Sequence, residues 1–281
     1  EERTKVLCKK MIEEDMLLEL PKERVYEEFK KFFLKAEKPS IAFENIKELG
    51  VLKHFSELKV LIGCIQDKEY HPEGDVWVHT LMTLDEMAKL KTGDSKRDMI
   101  LMFAILCHDL GKPLCTKEVN GRVQSHKHEA LGVEPTRSFL NRLTNDKKLI
   151  EEVLPLVKYH LAPFQFHDQN SSAKAVKRLS LKANIENLCL VALADCLGRE
   201  IKDKSKCSVC TSWLLEEAKK LEISTEPLKA IVQGRDLIAL GFKPSKEFKD
   251  ILEFAFDLQI DENLDKEQLI QEIKNKFVNN Q

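Results

Sequence analysis

Apolar residues recur along this chain at intervals of three and four, the spacing that lines one face of an α-helix. Val25, Phe29, Phe32, Phe33 and Leu34 follow it after Pro21, a residue suited to a first helical turn, where its missing N–H costs nothing. Pro39-Ser40 opens a second run through Ile41, Phe43, Ile46 and Leu49 that stops at Gly50. Val78, Leu81, Leu84 and Ala88 share one side of a helix expected over 77–90. Ser95 is expected to cap a helix over 98–110, with Gly111 as its stop and Pro113 just beyond. Strand alternation enters once, at Val119-Asn120-Gly121-Arg122-Val123, where Asn-Gly suits a tight hairpin turn. Helices are then expected over 127–143, 147–160, 172–182, 184–198, 213–221, 226–232, 247–258 and 266–277. Between the last three, Gly234 to Ile238 leads into a turn at Gly241-Phe242-Lys243-Pro244.

This pattern predicts an all-α chain: a helical bundle with one short β-hairpin, flanked by further helical regions. Three regions are expected, over 1–58, 59–204 and 205–281. Only ten glycines and nine prolines occur in 281 residues, which favours helix as well. The hydrophobic share of 43% is enough for a real core, and 33% charged residues fit a soluble globular protein. A net charge of −2 gives no whole-chain argument for nucleic-acid binding, and the 13 basic and 15 acidic residues of 201–281 give the last region no positive field. No apolar run approaches the roughly 20 residues needed to cross a bilayer, and no membrane partner is expected. Eight cysteines are scattered without a secreted-protein rhythm, and most sit in apolar helical contexts (Cys64, Cys107, Cys189, Cys196), so buried thiols in a reducing cytoplasm are expected.

The histidines change the picture. Five of the eight lie within 71–128. His79, His108-Asp109, His128, His160 and Asp195 each fall on or at the end of an expected helix with an apolar face. Polar groups in such places are costly unless paired or bound to metal, and residues on successive helices can converge where bundles build metal sites. The sharpest signal is His108-Asp109, which ends the apolar run Ile100 to Cys107. Neighbours on a helix point about 100° apart, so they make a poor single chelate face but can flank a shared metal at a helix end. Imidazole and carboxylate suit a divalent metal such as Ni, Mn, Mg, Fe or Zn.

The set His79, His108-Asp109 and Asp195 resembles the HD superfamily of metal-dependent phosphohydrolases. Gln66 with 70–80 (YHPEGDVWVHT), 107–113 (CHDLGKP), 128–132 (HEALG) and 194–199 (ADCLGR) resemble the HD region of bacterial CCA-adding tRNA nucleotidyltransferases. The 234–244 segment (GRDLIALGFKP) is similar to that family's tail, and 20–25 with 39–42 to its helical neck. The resemblance implies a neck-like region over 1–58, an HD phosphohydrolase domain over 59–204 and a tail resembling a tRNA-binding region over 205–281. It implies His79, His108, Asp109 and Asp195 as metal ligands. His128 and His160 fall where some HD enzymes bind a second metal or contact phosphate, so each is expected to act directly or to support the ligands. Lys112 either meets a substrate phosphate or is a solvated helix end. The implied activity is a 2′,3′-cyclic phosphodiesterase, 2′-nucleotidase or phosphatase acting on nucleotide or RNA-end phosphoesters, in the context of tRNA CCA-end maintenance. The alternative is a tRNA-binding body of a CCA nucleotidyltransferase with a vestigial or regulatory HD site; a nucleotide-signalling HD protein fits the tail less well. The family's polymerase head has no counterpart: no Gly-Gly-x-x-Arg-Asp stretch occurs, so nucleotide addition is not expected from this chain alone. Either a head precedes Glu1 or the protein is a headless relative.

Cys207-x-x-Cys210 is half a zinc site with no second pair following, and His167 and Cys196 are its conceivable partners. His54, His71 and His167 read as loop or helix-end residues, His126 as exposed, and Trp77 and Trp213 as core anchors.

Overall fold

The protein is described from a computed structural model, which covers residues 2–278. The bundle grows around one helix, Ser95–Cys107, in which every residue from Asp98 to Cys107 is buried. A helix apolar all round has to be packed all round. Helices Lys22–Lys35, Val76–Lys89, Lys147–Tyr159 and Ile185–Leu197 pack against it. Its N-cap is Asp94, not the expected Ser95. The Asp94 carboxylate accepts the N–H groups of Lys96 and Arg97 at 2.9 and 3.1 Å, which an ionised acceptor does better than a hydroxyl. Val76–Lys89 starts in the same way, on Asp75, which accepts from Trp77 and Val78.

The Lys22–Lys35 and Pro39–Glu48 helices close one side of the bundle with aromatic side chains. Phe29 meets Phe33, Phe43, Phe55, Phe103 and Phe139 at ring-centroid distances of 5.7–6.2 Å, mostly edge to face. These rings lie in one continuous core with Trp77 and the central helix. Packing this dense holds the central helix along its length and so fixes where its C-terminal end, with His108, comes to rest.

The hairpin forms as expected, with Lys117–Val119 paired to Arg122–Gln124. Asn120 and Gly121 both take positive φ, 52° and 75°, as the two-residue turn requires. Three expectations are corrected. The single helix expected over 127–143 breaks at Gly132 into His128–Leu131 and Val133–Leu143. An additional short helix, Ala162–Asp168, follows His160. The 226–232 segment is not helical. Its Leu228, Ile231 and Val232 suggest a helical face, but Pro227 disfavours helix for the residue before it. Its backbone is held instead by distant side chains: Leu228 N–H donates to Ser180 Oγ at 3.3 Å, Ile231 N–H to Gln259 Oε1 at 3.1 Å, and Gln259 Nε2 to the Lys229 carbonyl at 3.0 Å. A helix comes after it instead, at Gly234–Ala239, and runs into a turn at Leu240-Gly241, the start of the turn expected over 241–244. Helices Glu247–Asp261 and Lys266–Phe277 then build a smaller core from Val232, Leu237, Ile251, Ala255, Leu269 and Ile273.

Truncating the aromatic hub tests this account of the core. Phe29→Ala should lower stability by about 3–5 kcal/mol, whereas Ile41→Ala, at an exposed position of the neighbouring helix, should stay within about 0.5 kcal/mol. Urea titrations followed by far-ultraviolet circular dichroism compare the two.

Candidate metal centre

Four histidines reach the centre from four different elements, and each has one ring nitrogen tied. His108 Nδ1 lies 2.7 Å from the Ile105 carbonyl, His160 Nδ1 2.7 Å from the Val157 carbonyl and His128 Nδ1 2.8 Å from the Ser125 carbonyl. A carbonyl can only accept, so each Nδ1 carries a proton and each ring turns its Nε2 inward. His79 Nδ1 is held by a carboxylate instead, Glu73 Oε1 at 2.8 Å.

The inward Nε2 atoms surround two buried carboxylates. His79 Nε2 lies 3.0 Å from Asp195 Oδ1 and 3.9 Å from Asp109 Oδ2. His108 Nε2 lies 3.2 Å from Asp109 Oδ2 and 3.9 Å from Asp195 Oδ1. Asp109 Oδ1 faces the other way, 3.3 Å from His128 Nε2, which is itself 3.3 Å from His160 Nε2. The expected residues His79, His108, Asp109, Asp195, His128 and His160 are therefore brought together, and Asp109 stands between the two halves of the set. His108 and Asp109 converge because the helix ends at Cys107 and the chain turns immediately after.

The donor set fits a divalent cation. His108 Nε2 and Asp109 Oδ1 are buried and make no hydrogen bond, a costly state for polar atoms that a cation would relieve. Ligand atoms of His79, His108 and Asp109 lie within 4.8 Å of one another, as do those of Asp109, His128 and His160.

Burial and charge act against each other here. Burial opposes ionisation of Asp109, but His108 and the Lys112 ammonium outweigh it and hold the carboxyl well below its ordinary range. Asp195 is held down likewise against burial, chiefly by Arg199. Burial disfavours a charged His108, yet the neighbouring Asp109 carboxylate raises its pKa overall. At His160 burial, reinforced by His128 and His108, outweighs the Asp195 and Asp109 carboxylates and pushes the pKa down to about 3.

Lys112 is buried, with Nζ 2.7 Å from Asp109 Oδ2 and donating to Gln66 Oε1. Its position depends on Gly111. A Cβ there would sit 2.0 Å from the His128 carbonyl, so only glycine lets the turn after Asp109 press against the short helix carrying His128. A cleft of 620 Å³ opens onto this centre between Tyr70, His71, Lys127, Gln165 and Arg199.

Sequence reasoning missed three supporting residues. Glu73 Oε1 lies 2.9 Å from His71 Nδ1 and 2.8 Å from His79 Nδ1, and Oε2 takes the Glu200 N–H. His71, read as a loop residue, thus shares the carboxylate that orients His79, and burial pushes its pKa down to about 4 against that bond. Arg199 pairs with Asp195 at 3.0 Å. The i,i+4 spacing of Asp195 and Arg199 was a usable signal; Glu73 lies within the 70–80 motif, but no spacing there marks it as the neighbour of His79.

Residues 76–200 match the family model described as HD domain, and residues 1–61 match one described as "Probable RNA and SrmB- binding site of polymerase A". Residues 76–200 are an HD domain. Curated relatives carry the name Multifunctional CCA protein. The one from Mannheimia succiniciproducens is 32% identical over 203 residues, 70% of this chain and 48% of the relative. The one from Neisseria meningitidis serogroup C is 29% identical over 242 residues, 83% of this chain and 56% of the relative. One from Actinobacillus pleuropneumoniae serotype 5b is 37% identical over 145 residues, 51% of this chain and 34% of the relative. The chain thus spans about half the length of the first of these relatives.

Glu73 gives a direct test of how the HD centre is supported. In Glu73→Gln an amide N–H would replace one of the carboxylate oxygens that now accept from His71, His79 and Glu200. Mn²⁺ affinity measured by calorimetry should fall on the order of 10–100-fold while the fold is retained.

Proposed function

We propose that this chain hydrolyses phosphoesters at nucleotide or RNA ends, with a divalent ion held by His79, His108, Asp109 and Asp195. The observation that carries this reading is the buried His108 Nε2, without a hydrogen bond, beside the Asp109 and Asp195 carboxylates, which line an open cleft. When bound, the ion supplies Lewis-acid polarisation of a phosphoryl oxygen and acidifies water toward roughly pKa 7.

The protein's own residues do the rest. The carbonyl bonds on Nδ1 of His108, His128 and His160, and Glu73 on His79, keep the rings from turning, so no reorganisation is needed when substrate arrives. Lys112 keeps Asp109 ionised and leaves a positive charge beside the reacting phosphate. His128 and His160, on the Asp109 Oδ1 side and lining the cleft, face the substrate or a second ion. Lys127, exposed at the mouth, favours an anionic ligand. The relatives' shared name and the match over 1–61 support a substrate among nucleotides and RNA ends, with 2′,3′-cyclic phosphates as the substrate to try first.

A second reading rests on the same match over 1–61. Here the helices before the HD domain, with the C-terminal helices, grip tRNA as the body of a CCA nucleotidyltransferase, and the HD centre is an accessory.

Two measurements decide between these readings. Protein supplied with Ni²⁺, Mn²⁺ or Mg²⁺ should hydrolyse 2′,3′-cyclic AMP, lose that activity on chelation and regain it on adding one metal back. His108→Ala should be reduced to background; equal inactivity of both proteins with every metal would remove the catalytic reading. For the RNA reading, tRNA affinity should fall as salt rises, with a log–log slope of about −0.7 to −0.9 per phosphate contacted. No binding at low salt, or a flat slope, would remove that reading for this chain.

A further inference from the structure

The cysteines expected to be separate buried thiols are not all separate. Cys196 and Cys207 form a disulfide, with Cα atoms 5.6 Å apart. It joins the end of the Ile185–Leu197 helix to the start of Ser205–Lys220. Cys210 remains a free thiol, fully buried. It stands three residues after Cys207 on one helix, so the two sulfurs leave the same face. On its other side the Ala162–Asp168 helix brings up His167, and ligand atoms of His167, Asp168 and Cys210 lie within 4.8 Å of one another. The Cys207 sulfur thus lies one helical turn from the Cys210–His167 cluster, on helices that pack together, and the disulfide ties it to Cys196, the residue after Asp195.

We propose that Cys196, Cys207, Cys210 and His167 form a structural zinc site in the reduced protein, and that the Cys196–Cys207 disulfide is its oxidised, metal-free form. Three thiolates and one imidazole are a donor set that Zn²⁺ takes in closed tetrahedral sites. Asp168 is a poorer fourth ligand than His167, because Lys206 already pairs with it at 2.9 Å. It lies 3.4 Å from His167 Nδ1, where it can orient the ring. The exchange balances. Two thiols of a small-molecule reductant become a disulfide as Cys196–Cys207 becomes two thiols, and Zn²⁺ then displaces one proton from each of three cysteines. Either form fastens the helix that carries Asp195 to the helix that follows it. The Cys-x-x-Cys pair is thus half of a site whose other half comes from Cys196 and His167, a pairing that sequence spacing alone could not favour. This inference does not depend on the hydrolase reading.

Cobalt separates this site from the HD centre, because only sulfur ligands give thiolate-to-cobalt charge-transfer absorption in the near ultraviolet. Fully reduced protein titrated with Co²⁺ should develop that absorption together with the strong visible bands of a tetrahedral ion, and one equivalent of Zn²⁺ should bleach both. The bands should be absent from the disulfide form, weakened or lost in Cys210→Ser, and unchanged in His79→Ala. Should Cys210→Ser fail to fold, alkylation of the unmutated reduced protein decides instead: Zn²⁺ should protect Cys196, Cys207 and Cys210 together. Reduced protein without the charge-transfer absorption, bands identical in Cys210→Ser, or no zinc protection of these three cysteines would overturn the proposal.

Discussion

Two ionised carboxylates sealed at the end of an apolar bundle have to be neutralised, and the rest of the centre answers to that need. Moving one carboxylate from water into a dry interior costs about 20 kcal/mol in the idealised limit and still several after relaxation. Asp109 and Asp195 are both buried, and each has its own cation, Lys112 at 2.7 Å and Arg199 at 3.0 Å. These two pairs cancel. Glu73, whose side chain is fully buried, adds one negative charge shared with His71 and His79. The set is therefore close to −1 before any metal and close to +1 with a divalent ion. The same constellation that attracts a cation would then attract a phosphate.

The geometry depends on helix ends. His108 and His160 each follow the last residue of a helix and point Nδ1 back at a carbonyl three residues earlier. A helix C-terminus leaves carbonyls without backbone partners, and here those carbonyls orient imidazoles. The aromatic packing around Phe29 and Phe103 and the close backbone approach at Gly111 set where these ends lie relative to one another. The centre is thus a property of the whole bundle, although its residues are far apart in sequence.

Much of this was legible in the sequence. An apolar run ending in His108-Asp109 already implied a buried helix delivering two polar groups, and the hairpin followed from Asn120-Gly121. The histidines that converge were those on or at the ends of apolar helices. What the sequence hid depends on contacts between distant residues. Leu228, Ile231 and Val232 suggested a helix, but hydrogen bonds from Ser180 and Gln259 hold that segment in an irregular path. Glu73 sits in an irregular loop, and nothing local marks it as the partner of His79. The break at Gly132 and the meeting of Cys196 with Cys207 likewise follow from how helices pack, which periodicity along one helix does not record.

The central claim is that His79, His108, Asp109 and Asp195 share one divalent ion. Crystals soaked in Mn²⁺ and measured for anomalous scattering test it most directly. The expected result is a peak in contact with His79 Nε2, His108 Nε2, Asp109 and Asp195. A peak held by other residues, or none at saturating Mn²⁺, would contradict it.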